Sequence, residues 1–301
     1  MVDKRWYLTS VPIVAFTVIF IGILLPVFLK QRSVNRGSAN YEVLYSQGAL
    51  DGSAIYLLVL VSNMNTLTYE LTTSASIQSL APDLYNNATN TLNKAVRIQL
   101  NSDLLMLTNT TAAIDTAITS TASIVEGSIA WYPFDKYTTR LDVAAATGVA
   151  AFNGSDSSPV PVDIIVAQHE DFEWNYNVKF SPLDTMDAKT IGQIPLEVSV
   201  RRSINMYTVL VFFGIWAVTF SIAYIGSLAV IWKRRAPDNP VIFISALFAI
   251  PAFRNTCPGN PPYGVLFDII GTYIAIAVTC TFLVLVSIAY MKPKPPAVQN
   301  P

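Results

Sequence analysis

Charge is scarce in this sequence: only 13% of its 301 residues are Asp, Glu, Lys or Arg, about half the share of an ordinary soluble domain. The formal net charge of −1 leaves no surplus of basic residues. Nucleic acid is excluded as a partner, because binding phosphates needs a basic patch and none occurs outside the flanks of apolar runs. Histidine occurs once, at His169, too few for a multi-histidine metal centre, and nothing local pairs a nucleophile with an oriented base. Cysteine occurs twice. Cys257 lies in a proline-rich loop and Cys280 inside an apolar run, so no disulfide framework is available. The expectation is a non-enzymatic protein without metal or cofactor.

Apolar residues are abundant instead. They make up 52% of the chain, and the mean hydropathy is +0.44, which places the protein in the membrane class. Residues 8–29 carry no charge and follow Trp6 and Tyr7. That run is long enough for about 30 Å of hydrocarbon, with aromatics at its edge. It exceeds the apolar core of a cleaved signal peptide, so it reads as an uncleaved signal-anchor after a short cytoplasmic tail, 1–7. Residues 206–232 and 264–291 form two further spans, closed by Lys233–Arg235 and by Lys292 and Lys294. Residues 240–257 are shorter and are broken by Pro251. They read as the chain's short third span, with Arg254 snorkelling toward the interface, and a re-entrant or interfacial piece is the alternative for so short a run. A Pro-rich cytoplasmic tail, 292–301, ends the chain.

Four spans put both termini on one side. The loop "KRRAPDN" has three basic residues and the loop at 251–264 has one, so the first faces the cytoplasm. The large middle region, 30–203, is then extracellular or lumenal. Asn87, Asn109 and Asn153 each begin an N-glycosylation sequon within it, compatible with that side and with a glycoprotein.

The middle region alternates with a period of two. Residues 54–62, 95–100, 161–167, 172–180 and 194–200 read as strands separated by polar or glycine-rich breaks, and strands at such spacing predict a β-sandwich. The Thr/Ala/Asn-rich blocks 75–93 and 108–127 read as loops or weak strands. The spacing of Ile114 and Ile118 leaves a short helix open in the second.

Four features are site candidates. In "EGSIAWYPFDKYTTRLDV" (126–143), Pro133 fixes a backbone dihedral, Trp131, Tyr132, Phe134 and Tyr137 can cover a core edge, and Asp135 can accept backbone hydrogen bonds. Lys136 and Arg140 can pair with Asp135 or face lipid headgroups. The bland reading is a turn that locks the sandwich, and the sharper one is a ligand or partner site. "HEDFEW" (169–174) groups carboxylates, but neighbours on an alternating segment face opposite ways, so it reads as a solvated loop. Asp268 is the one carboxylate within the apolar runs. Burial of such a group is costly, and a pair with Arg254 or a helix-start position accounts for it. The fourth feature is the loop "PAFRNTCPGNPPYG" around these two residues, where Asn255, Pro258, Gly259, Pro261 and Pro262 make a rigid reversal between helices.

"YPFDKY" (132–137), "KRRAPDNP" (233–240) and "PAFRNTCPGNPPYGVLFD" (251–268) together resemble an uncharacterised integral membrane family, domain of unknown function family 4436. The resemblance implies one amino-terminal helix, an ectodomain and three carboxyl-terminal helices, with no established activity, cofactor or substrate. The YPFD turn also resembles, more distantly, the aromatic-Pro-Phe-Asp turn of pentameric ligand-gated channels, although the flanking cysteines are absent and a helix precedes the ectodomain. The function expected is a multi-pass membrane protein that binds or organises a protein or lipid ligand through its ectodomain, with the bilayer as partner and homo-oligomers permitted. The alternative is an oligomeric channel or transporter with a polar path near Arg254 and Asp268.

Overall fold

A computed structural model describes residues 18, 22, 41–48, 52–86, 88–89, 91–108, 116–148, 158–169, 173–181, 193–233 and 239–291. Of the expected first span, only Val18 and Gly22 are among them, and both are helical. Both tails, Asn87, Asn109, Asn153 and Ile114 lie outside the described residues. The chain divides into two compact units. The first comprises Met1–Ile124, Thr139–Asp171 and Tyr176–Ser199, and the second Val125–Thr138, Phe172–Asn175 and Val200–Pro301.

The first unit is β-rich. The strands are β1 (Tyr41–Gln47), β2 (Ile55–Asn65), β3 (Glu70–Ser79), β4 (Tyr85–Asn86), β5 (Thr91–Leu92), β6 (Val96–Leu100), β7 (Asp103–Leu107), β8 (Ile118–Gly127), β9 (Lys136–Thr147), β10 (Val162–His169), β11 (Trp174–Phe180) and β12 (Ile194–Arg202). The main path of the sheet runs β1-β10-β2-β3-β8-β9-β12-β11. The strand β9 also pairs with β6, which pairs with β7, so these ten strands form one branched sheet. The expected sandwich of two separate sheets gives way to this single large sheet. Strand β10 runs parallel to β2, with Val162 opposite Ile55, and antiparallel to β1. It is buried along most of its length, as a nearly continuous apolar run should be.

All five strand expectations coincide with strands. In the Thr/Ala/Asn-rich blocks, the strand alternative holds where β3 and β8 enter them: both are ten-residue strands, and they pair with each other from Glu70↔Ser123 to Ala75↔Ile118. Leu71, Thr73, Ala75 and Ile77 alternate inward on β3, and Ile118, Ser120 and Ala122 do so on β8. The period is two, but small and hydroxylated residues carry it with little contrast in polarity. Ile118 is therefore in a strand and not in the short helix that the sequence left open. The core is lined by Ile55, Leu57, Leu71, Ile98, Leu100, Leu141 and Ile164, all fully buried.

The second unit is mainly helical. Helix α1 (Met206–Val230) starts at Asn205, whose side chain accepts a hydrogen bond from the Tyr207 amide. Helix α2 (Val241–Asn255) contains Pro251. A π turn, Asp268–Thr272, runs directly into α3 (Tyr273–Met291). Two helices, Met206–Val230 and Asp268–Met291, are long and apolar enough to cross a membrane. At about 1.5 Å per residue, the 15 residues of α2 give only about 22 Å.

The helices pack through narrow seams. Ile222, Phe243, Ala246 and Val286 form one, and Val211, Ile215, Ile250, Cys257, Val265, Phe267 and Ala275 another. Phe213, Phe220, Phe248, Ile269 and Val284 remain exposed outside them. The hydroxyls of Thr219, Ser221 and Thr279 donate to carbonyls one turn back, at Ile215, Ala217 and Ala275. Each thus satisfies its donor inside its own helix.

Candidate functional site

Two buried ion pairs organise the second unit. The first begins on β12, where Leu196, Val198, Val200 and Arg202 all fall on the buried phase of the strand. A guanidinium placed in that phase needs a carboxylate and further acceptors or rings around it. Asp135 supplies the carboxylate: Arg202 Nε donates to Oδ1 at 2.7 Å and Nη2 to Oδ2 at 3.0 Å. The Arg202 amide also donates to the Asp135 carbonyl. Asp135 is 0% exposed. The guanidinium carbon lies 4.1 Å from the centre of the Trp174 ring and 4.9 Å from that of Tyr132, close enough for cation–π attraction to both.

The second pair is built by the proline loop. Arg254, in the last turn of α2, donates through Nε and Nη2 to the two oxygens of Asp268, each at 2.8 Å. Its Nη1 and Nη2 also donate to the carbonyls of Pro261 and Pro262, each at 2.7 Å. The ring of each proline fixes φ at about −65°, which restricts the backbone that presents these two carbonyls. Asp268 Oδ2 accepts from the Gly264 amide and Oδ1 from Thr272 Oγ1. The Tyr263 ring lies 4.2 Å from the Arg254 guanidinium carbon, and its hydroxyl donates to Asn255 Oδ1 at 2.6 Å. Arg254 is buried, so the expected snorkelling is corrected: its partners sit within the loop it starts.

Tyr132 joins the two constructions. Its hydroxyl donates to the Pro258 carbonyl at 3.0 Å and lies 3.4 Å from Thr208 Oγ1. Its ring meets Phe267 edge to face and belongs to the seam of Val211, Ile215 and Ile250. Burial pushes the Tyr132 hydroxyl up to about 12. Next to Pro258, Gly259 has φ +76°, and a Cβ there would stand 2.9 Å from Arg202 Nη1. Only glycine fits both the left-handed backbone and the approach of the guanidinium. Gly127, at the end of β8, has φ +134° and packs against Tyr137 and the Lys136 carbonyl, leaving no room for a side chain.

The residues singled out by sequence thus fall into three groups. Tyr132, Asp135, Arg254, Asn255, Pro258, Gly259, Pro261, Pro262 and Asp268 lie in or against one connected cluster. Tyr137 is buried and stacks edge to face on Trp174, and Pro133 follows Tyr132 through a cis peptide bond. Trp131 and Phe134 point outward, 62% and 53% exposed. Asp135 pairs with Arg202, not with Lys136 or Arg140. Arg140 instead bonds Asp142 at 3.0 Å. His169 ends β10, opposite Tyr41, while Glu170 and Asp171 lie outside the described residues.

Sequence reading missed Arg202, Trp174, Thr208, Tyr263 and Phe267. For Arg202 the signal was present, since "PLEVSVRR" continues its buried phase onto the second arginine. Chemically, the cluster is saturated. Each carboxylate oxygen of Asp135 and Asp268 already accepts from a guanidinium. No group of three or more potential metal ligands occurs among the described residues.

Residues 200–293 match the family described as Domain of unknown function (DUF8686), and residues 45–200 match Domain of unknown function (DUF4436). No match is found among curated proteins. The resemblance based on three motifs is corrected in extent: "YPFDKY" lies in the 45–200 match, whereas "KRRAPDNP" and the proline loop lie in the other. The second structural unit cuts across this division, because it adds residues 125–138 and 172–175 to the helices. With more than half of its length matched, the chain belongs to the DUF4436 family, a domain of unknown function.

Proposed function

We propose that this chain is a multi-pass membrane protein that binds or organises a protein or lipid partner through a β-rich domain on the extracytoplasmic side. The observation that carries the membrane part is the exposure of large apolar side chains along helices of spanning length. Phe220, in the middle of α1, is 64% exposed, and such a surface is unfavourable in water and ordinary in lipid. Aromatic residues sit near both ends of the helices: Tyr207 and Tyr263 at one, Trp232 and Tyr290 at the other, as at the two membrane interfaces. The basic loop after α1 favours the cytoplasm for Lys233. The paired charges favour a structural role for this cluster of the helical unit, and the binding role is assigned to the β-rich domain.

The same saturation weighs against a polar path through Arg254 and Asp268. A conducting route would need polar atoms that exchange partners with ions or water, yet these and the hydroxyls of Thr219, Ser221 and Thr279 are engaged internally. Reconstitution of the full chain into vesicles tests this reading. Wild-type protein is expected to insert, resist alkaline extraction and leave ion flux at the level of empty vesicles. Flux that Asp268→Asn abolishes at equal protein abundance would instead establish the channel or transporter.

A further inference from the structure

Tyr132 fixes a depth. Its hydroxyl lies beside Thr208, the third residue of the 25-residue helix α1. Hydrocarbon about 30 Å thick takes about 20 helical residues. Centring α1 on the bilayer leaves two or three residues beyond each boundary, so Thr208 stands at the edge of the hydrocarbon. The turn that carries Tyr132 stands there too.

The side chains of that turn are arranged in reverse of what water favours. Asp135 and the Tyr132 hydroxyl point inward to buried partners, while Trp131 and Phe134 project outward. Ile204 and Tyr207, at the start of α1, are exposed at the same level. Lys136, next to the buried Asp135, is exposed as well. Outward rings at the hydrocarbon edge with a nearby lysine suit the headgroup layer, where an aromatic body meets acyl chains and an ammonium meets phosphate.

Building on the membrane reading above, we infer that Trp131 and Phe134 insert into the interfacial layer of the bilayer, so that lipid is the partner of this turn. The β8–β9 connection then anchors its own segment to the membrane independently of the spanning helices. Because Tyr132 lies between the two inserted rings, that anchor is tied through the Pro258 carbonyl to the proline loop.

Tryptophan quenching by lipid tests this on the full chain. The protein is reconstituted into phosphatidylcholine vesicles brominated at shallow or at deep acyl positions. Comparing wild type with Trp131→Phe isolates the emission of Trp131, and Trp216→Phe does the same for Trp216 in α1, with Trp174 left intact. Most of the Trp131 emission should be lost to shallow bromine, less to deep bromine and little to aqueous iodide, while Trp216 responds to deep bromine. Iodide quenching of Trp131 without a bromine response, while Trp216 keeps its own, would overturn the inference and leave the membrane reading intact. Protection of Trp131 from both quenchers would place it against protein and also overturn it. Failure of both tryptophans to respond to bromine would remove the membrane reading itself.

Discussion

At the scale of single residues, the helical unit depends on two guanidinium–carboxylate pairs shielded from water. Removing one partner of such a pair strands the other charge, at a cost of about 3–5 kcal/mol. Asp135→Asn should therefore lower the thermal stability of the purified protein by an amount in that range. Replacing both members, as Asp135→Leu with Arg202→Met, should cost clearly less than the two single changes summed. A single substitution with no measurable effect would mean that the pair is solvated. Tyr132 gives a pH signature. Its folded value of about 12 lies above the ordinary value of 10.0, so the unfolded chain loses this proton first. Its stabilising contribution is complete below pH 10 and is lost as the pH rises through 12. Alkaline unfolding curves should show that Tyr132→Phe removes part of this decline. Half of this site was legible in sequence. Asp268 and Arg254 drew notice because charge inside apolar runs is costly. Asp135 and Arg202 are 67 positions apart in the chain, and only the buried phase of β12 hinted that Arg202 sought a partner.

At the scale of elements, legibility followed contrast. Strands such as β2 and β12 set large apolar residues against polar ones, and their period of two is plain. In β3 and β8 the inward positions include Thr73, Ala75, Ser120 and Ala122, so the same period is nearly silent. Their pairing as neighbours in the sheet is a tertiary fact that no local pattern encodes. Strand β9 was hidden for a different reason: its first residues follow the YPFD turn so closely that the whole stretch read as one turn. The helices were legible from length and composition, although α2 is too short for its type to reveal whether it crosses. A charge on the outward face of α1 separates lipid from water around it. Phe220→Lys should disfavour insertion by about 2.5–3.5 kcal/mol if that face meets acyl chains, read as a lower membrane-integrated fraction. An unchanged fraction would place the face in water.

At the scale of the whole molecule, the family division and the structural division disagree in an informative way. The two family matches meet at residue 200, but the unit containing the helices also claims the YPFD turn and the segment around Trp174. Those two short segments supply the carboxylate and both of the rings that hold Arg202. The helical unit is thus completed by pieces from the β-rich family region, which explains why the motifs recognised in sequence on either side of residue 200 lie in one cluster. The proposed binding role, with the β-rich domain outside, draws its support from the paired charges, the apolar helix faces and the basic loop after α1. Its most direct test is the accessibility of single cysteines introduced at Ser62, Lys233 and Asn260 in intact cells. The account predicts that an impermeant maleimide labels positions 62 and 260 from outside and position 233 only after permeabilisation. Labelling of positions 62 and 233 from the same side would contradict it.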